Sequence, residues 1–227
     1  MLAVTAIFTG FILAVSLCVD SLREREVFAI DNHLKIVVDA GHGGIDGGVT
    51  GVTTGVKESD LNLKIALKLC EKLERSGLRP ALTRKTKEGL YDTTAKGFKR
   101  RDMQKRKEII ERESPALVLS IHQNFYPSAS QRGAQVFYLQ GDEKDEELAY
   151  HLQNRLNALY AKEGVKARKN KSADYFMLAS SPCPAALIEC GFLSSPKDEA
   201  LLCNEVFLES LTTEIYLGVV GFLFASA

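Results

Sequence analysis

Two histidines and two glutamates stand where this chain could do chemistry. His42 closes the run Lys35-Ile-Val-Val-Asp-Ala-Gly-His42, His122 closes Leu117-Val-Leu-Ser-Ile-His122, and Glu189 closes Ala185-Ala-Leu-Ile-Glu189. Short apolar runs of this kind read as buried strands, and strands lying side by side in one sheet bring their carboxyl ends to a common crevice. Glu58 opens a predicted helix. Two imidazoles and a carboxylate meet the three-ligand count of a hydrolytic zinc site, which keeps a fourth position open. Read this way, His42, Glu58 and His122 hold Zn2+, which polarises a carbonyl and acidifies water, and Glu189 is free to serve as general base and then as acid to a leaving amine.

Each residue also has a plainer role. A histidine ending a strand can simply be hydrogen-bonded at the surface, and Glu58 alone is a favourable charge at a helix N-terminus. Glu189 is harder to dismiss, because a carboxylate ending an apolar strand is costly to bury unless it is paired, metal-linked or functional. Two competing functions follow from the same residues. Cys190 could act as a nucleophile activated by His122, although nothing near it in sequence supplies a positive environment. Alternatively, zinc could hold together a non-catalytic module, but a structural site is closed and needs no acid like Glu189 beside it.

The elements that must carry these groups alternate. Leu63, Ala66, Leu67, Cys70 and Leu73 recur at helical spacing after Glu58, with Ser59 as the expected cap and Gly77 as terminator. A strand is expected over Leu78 to Thr83, a charged helix over Arg100 to Arg112, a strand over Ala134 to Leu139 and a helix over Glu146 to Tyr160. Cys203 to Phe224 reads as one or two closing apolar helices; its last part, Leu217 to Ala227, is too short to span a bilayer and is expected to pack on the sheet. The fold class is therefore α/β, a single mostly parallel twisted sheet with helices on both faces. Gly41-His-Gly-Gly-Ile-Asp-Gly-Gly48 is a turn in which backbone can approach a bound group, and neither nucleotide-loop pattern fits it. Lys105-Arg-Lys107 reads as a solvated helix face balanced by Glu108, Glu111 and Glu113. His33 and His151 read as ordinary solvent-facing histidines.

Composition narrows the partners. The 227 residues are 45% hydrophobic, enough for one sizeable core, and 29 acidic side chains balance 29 basic ones, so no long-range field draws in nucleic acid. Residues 2 to 19 carry no charge, which suits an export signal or a membrane anchor. We read 1–20 as that leader, 21–34 as a linker and 35–227 as the catalytic domain, exported and touching a membrane only through the leader. Leu17 argues against lipidation at Cys18. Cys18, Cys70, Cys183, Cys190 and Cys203 show no repeated close pairing, though Cys183 and Cys190 flank one strand and leave a single bridge open.

As a set, Val38-Asp-Ala-Gly-His-Gly-Gly44, Lys57-Glu-Ser-Asp-Leu-Asn-Leu63, Ser120-Ile-His-Gln-Asn124 and Pro184-Ala-Ala-Leu-Ile-Glu-Cys-Gly-Phe-Leu-Ser194 resemble the zinc-dependent N-acetylmuramoyl-L-alanine amidases of the amidase type 3 family. The resemblance implies zinc on His42, Glu58 and His122, catalysis by Glu189, and cleavage of the amide joining the muramic acid lactyl group to L-alanine. Asn124-Phe-Tyr-Pro127 with Gly133-Ala-Gln-Val136 looks like the spore-cortex, germination-specific type, whose action precedes muramic lactam formation. Ile109-Ile-Glu111 departs from the family's Ile-Ala-Asn, and Cys190 stands where a small polar residue is common, which bears on the acidity and redox sensitivity of Glu189. Asn124, Arg132 and Lys171 are candidate contacts to sugar hydroxyls or peptide carboxylates, though for Arg132 and Lys171 the role of an ordinary polar surface residue is the stronger reading. No wall-binding repeat is found, so retention on peptidoglycan would rest on the leader, the substrate or an accessory activating or tethering protein.

Overall fold

The computed structural model describes residues 34–225, so the expected leader, almost all of the linker and His33 lie outside the described residues. The strands are β1 (Lys35–Ala40), β2 (Arg79–Leu82), β3 (Leu117–Asn124), β4 (Gln135–Tyr138), β5 (Lys171–Ser172) and β6 (Ala185–Phe192). The helices are α1 (Glu58–Arg75), α2 (Phe98–Glu113), α3 (Glu143–Ala161), α4 (Phe176–Ala179), α5 (Pro196–Leu202) and α6 (Glu205–Ala225). One six-stranded sheet runs β2-β1-β3-β6-β4-β5. Its neighbours pair in parallel except β4 against β6, so the expected mostly parallel sheet is present.

Strand order turns back between β1 and β3, since β2 lies on one side of β1 and β3 on the other. Such a switch point opens a crevice at the carboxyl ends of the strands. Period-two alternation sorts the strand side chains. Val37, Val118, Ala185 and Leu187 meet Ile110 of α2 and Met177 and Leu178 of α4. Their neighbours Ile36, Val38, Leu119 and Ile188 are fully buried on the other face, where α1 and α3 lie against the sheet. Ile110, part of the segment that departs from the family pattern, is a core residue.

Local signals explain some of the boundaries. Asp142 caps α3, its carboxylate accepting from the backbone N–H of Lys144 and Asp145. The cap of α1 is Lys57 rather than the expected Ser59, which lies within the helix, and Glu58 and Asp60 supply the first-turn negative charge instead. α6 also departs from expectation. It is a single 21-residue helix, long and apolar enough by composition to cross a bilayer. It packs chiefly across α1 and α3 instead of directly on the sheet, burying Leu208, Leu211, Ile215, Val219 and Phe222. Lys171 sits exposed on the edge strand β5, as its reading as a polar surface residue has it. Cys70, Cys183, Cys190 and Cys203 are free thiols, so the bridge left open between Cys183 and Cys190 is not formed.

The α3–α6 crossing is tight because Gly218 has no side chain: a Cβ there would stand 2.9 Å from Leu152 Cδ2 and 3.0 Å from its Cα. Backbone cannot yield as a side-chain tip can. Gly218→Val should therefore cost about 2 kcal/mol and lower the thermal midpoint by several degrees; an unchanged midpoint in a calorimetric scan would show that the two helices are not closely docked.

Candidate active site

The parallel register carries the site. Asp39 pairs with Ser120, Ser120 with Leu187, and His122 with Glu189. With period-two alternation, Asp39, Ser120, His122, Leu187 and Glu189 point to one face, and the loop after β1 brings in His42. Glu58 reaches the same place from the first turn of α1. Its Oε1 lies 3.0 Å from His122 Nδ1 and 3.3 Å from His42 Nε2, and the two rings meet edge to face at 5.1 Å. One donor atom from each of His42, Glu58 and His122 falls within 4.8 Å of the others. The structure thus brings the three expected ligands together, with Glu189 beside them.

Several neighbours hold this arrangement. His42 Nδ1–H donates to Asp46 Oδ2 at 3.0 Å, which leaves Nε2 turned toward Glu58. Glu58 Oε2 accepts from the N–H of Val49 at 2.9 Å, and Oε1 accepts from the N–H of Gln123 at 3.1 Å and from Asn62 Nδ2 at 3.3 Å. Burial opposes the charge on Glu58, but the two imidazoles overrule it and hold its carboxyl well below the usual range. Burial also opposes charge on His42, whose pKa is nevertheless raised by Glu58 and Asp46. Glu189 sits in the opposite situation: burial, opposed by His122, pushes its carboxyl up to about 7, and its Oε2 is enclosed with no hydrogen-bond partner. Two glycines are required by contact. A Cβ at Gly41 would enter the His122 ring at 2.2 Å, and one at Gly48, whose φ is +67°, would strike Glu58 Oε2 at 2.4 Å.

Beneath the site lies a buried ionic cluster. Arg106 Nη1 donates to Asp39 Oδ1 at 2.6 Å and to the Ala40 carbonyl, Nη2 donates to the His42 carbonyl, and Nε donates to Asp102 Oδ2. Arg84 donates to the carbonyls of Ala40, Gly41 and Ser59. Three successive carbonyls are thus gripped by two guanidinium groups, and His42 is held with φ +61°, a left-handed conformation that a non-glycine residue adopts only when its surroundings impose it. This corrects the expectation of a solvated Lys105-Arg-Lys107 face: Arg106 is 1% exposed, and only its two neighbours reach outward.

Other expectations change as well. Arg132 is tied through Nε to the fully buried Asp198 at 2.8 Å, so it braces the start of β4 and is not free for a peptide carboxylate. Asn124 ends β3 beside the site, its carbonyl accepting from the N–H of Leu193. Cys190 is fully buried, its thiol pushed far up by burial and by the charge of Glu189, which removes it as a nucleophile and shields it from oxidation. Asp46, Asn62 and Arg84 have no site role in the sequence reading, and Arg106 has only that of a solvated face. A signal did exist for Arg106, since Asp102, Arg106 and Ile110 recur every four residues on one helical face.

A cleft of about 320 Å³ opens onto these groups, lined among others by His42, His122, Met103, Tyr175, Phe176 and Leu187. Fold and cleft together define an α/β domain with a candidate metal-ligand cluster at the carboxyl ends of its parallel strands. The chain belongs to the N-acetylmuramoyl-L-alanine amidase family, whose sequence profile matches residues 36–220. It is 31% identical over 190 residues to the germination-specific N-acetylmuramoyl-L-alanine amidase of Bacillus subtilis, covering 82% of this chain and 78% of that one. Similarity to the probable cell wall amidase LytH of Staphylococcus aureus is 28% identity over 81% of this chain and 56% of that protein. Among solved structures, the CwlD amidase of Clostridioides difficile, in complex with the GerS lipoprotein, superposes with a TM-score of 0.80 at 35% identity, covering 85% of this chain and 99% of that chain. The protein is a peptidoglycan amidase.

The Asp39–Arg106 pair sets an acid limit on stability. Burial would raise the Asp39 carboxyl, but Arg106 and the hydroxyls of Ser120 and Thr83 hold it at about 2, below its unfolded value. A depressed carboxylate stabilises above its unfolded pKa of about 4 and loses that contribution as pH falls toward 2; here the contribution is about 2 kcal/mol. Asp39→Asn should therefore be less stable at neutral pH and should show a flatter acid limb between those values in denaturant titrations. Arg106→Lys should also be destabilised, by about 3 kcal/mol, because one ammonium cannot reach the acceptors the guanidinium fork serves.

Proposed function

We propose that the chain removes stem peptides from peptidoglycan by zinc-dependent cleavage of the amide between the muramic acid lactyl carbonyl and L-alanine, and that it acts in maturation of the spore cortex before muramic lactam forms. The observation that carries the chemistry is the convergence of His42, Glu58 and His122 beside a carboxyl group with an unpartnered oxygen. The donor set suits zinc: two nitrogens and one oxygen, with separations of 3.0 and 3.3 Å close to the about 3.3 Å expected between ligands of one tetrahedral ion. His42 would present Nε2, with Asp46 fixing its tautomer, His122 would present Nδ1, and Glu58 would present Oε1. When bound, zinc supplies a Lewis acid for the lactyl carbonyl and lowers the pKa of a water.

The chain's own groups supply the remaining steps. Glu189, near neutrality in its buried setting, takes the proton of the attacking water on Oε2 and returns it to the departing alanine nitrogen. Asn124, two residues beyond His122 on the same strand, would contact the substrate. Tyr175, Phe176 and Met177 wall the cleft. Kinship with a germination-specific amidase supports the cortex assignment, and a relative solved with a lipoprotein supports an accessory partner here. Residues 1–20 would export the domain as signal or anchor, 21–34 would tether it, and 35–227 would do the chemistry outside the cytoplasm.

The test is mass spectrometry of cortex peptidoglycan after incubation with zinc-loaded protein, alongside zinc titration of each variant. Glu189→Gln should bind zinc as the parent does and release L-alanine amino termini at least about 100-fold more slowly. His122→Ala should lose zinc affinity. Release by Glu189→Gln at the parental rate would remove the assigned base, and zinc binding unaffected by His122→Ala would remove the assigned ligand set.

A further inference from the structure

Exposed apolar side chains are concentrated around the site. Of the ten large ones among the described residues, six (Ile45, Val52, Phe125, Tyr126, Tyr175 and Phe176) lie on loops or element starts at the carboxyl edge of the sheet or along its cleft. Apolar exposure gathered at one mouth marks a recognition surface, whereas the same residues scattered singly would not. Tyr175 and Phe176 stand out because they line the cleft together with His42 and His122 while remaining 40% and 44% exposed.

Their setting is built. Tyr175 is the N-cap of α4 and Phe176 its first residue; the next two, Met177 and Leu178, are driven into the core between β6 and α2, so the short helix is anchored by one pair and holds the other pair out. Phe137 of β4 meets the Tyr175 ring edge-on at 5.4 Å and 87°, which restricts its rotation. The charge of Glu189 adds to burial in raising the Tyr175 phenol, so the ring stands within electrostatic reach of the proposed base.

We propose that Tyr175 and Phe176 form a carbohydrate platform on which the N-acetylmuramic acid ring of the substrate stacks. The inference rests on the function proposed above and names what that site must hold besides the amide. The lactyl carbonyl hangs from the sugar by three single bonds, so the pyranose lies within about 4 Å of the reacting carbon. A wall that lines one cleft with His42 and His122 therefore faces a sugar ring. A pyranose offers a face of C–H groups and a polar rim, and an exposed aromatic face covers the first while leaving the second to water.

Calorimetric titration of the full chain with peptide-free glycan strands of alternating N-acetylglucosamine and N-acetylmuramic acid tests the platform without calling on catalysis. Tyr175→Ala and Phe176→Ala should each weaken binding about fivefold to tenfold and raise KM on intact cortex with little change in kcat. Tyr175→Phe, which keeps the face, should restore affinity. Should an alanine variant unfold, Phe176→Leu keeps apolar volume without a ring and should show the same loss. No glycan binding by the parent, parental affinity in folded Phe176→Ala, loss confined to Phe125→Ala, or a Tyr175→Phe defect equal to that of Tyr175→Ala would each overturn the proposal. Glycan binding by a parent that releases no peptide would leave the platform standing and remove the proposed function instead.

Discussion

Asp39 and Arg106 meet at 2.6 Å with neither side chain open to water, and the geometry of the site depends on that contact. A buried ion pair gains little over an apolar pair of the same shape, because desolvation consumes most of the attraction. Its use here is directional. The guanidinium that neutralises Asp39 and Asp102 spends its remaining donors on the carbonyls of Ala40 and His42, and Arg84 closes the same grip from the other side. Apolar packing could fill this volume, but it could not specify where three consecutive carbonyls point. Once they are fixed, His42 is forced into its left-handed turn and its ring is delivered to Glu58.

The parallel sheet does the rest with little further specification. Adjacent parallel strands in register place His122 opposite Glu189 and, two residues deeper, Ser120 opposite Leu187. The same alternation turns Ala186 and Ile188 to the other face, where both are fully buried. A polar row at the crevice and an apolar row against α1 and α3 can thus share the same strands. The switch in strand order between β1 and β3 is what leaves their carboxyl ends uncovered.

What was legible in the sequence was what is local. His42, His122 and Glu189 each end an unmistakable apolar run, and Glu58 opens a strongly periodic helix, so their types, elements and convergence could be read before any coordinates. Contacts between distant segments could not. Asp39, which Arg106 meets in the core, is 67 residues away and the partner of Arg132 is 66 residues away, so both look like ordinary surface cations in the sequence. Ser59 failed as a cap because residues of both types that favour helix starts, Ser59 and the acids Glu58 and Asp60, crowd that turn, and side-chain preference alone does not choose between them. α6 was misplaced for a related reason. Its hydrophobicity on most faces signals burial but does not say whether strands or helices cover it.

Glu58 and Glu189 show how one pocket can ask two identical side chains for different chemistry. Glu58 accepts two backbone N–H groups and one amide and faces both imidazoles, so its charge is satisfied from every side and it stays ionised. Glu189 stands on β6 opposite His122, with one oxygen enclosed and unpartnered, so the proton competes effectively for it near neutrality. Both environments come from burial; what differs is the supply of donors. A ligand must remain an anion throughout, whereas a proton carrier must be able to gain and lose its charge during one turnover. The donors around Glu58 suit the first role and would spoil the second, which is why the proposed assignments of these two glutamates cannot be exchanged.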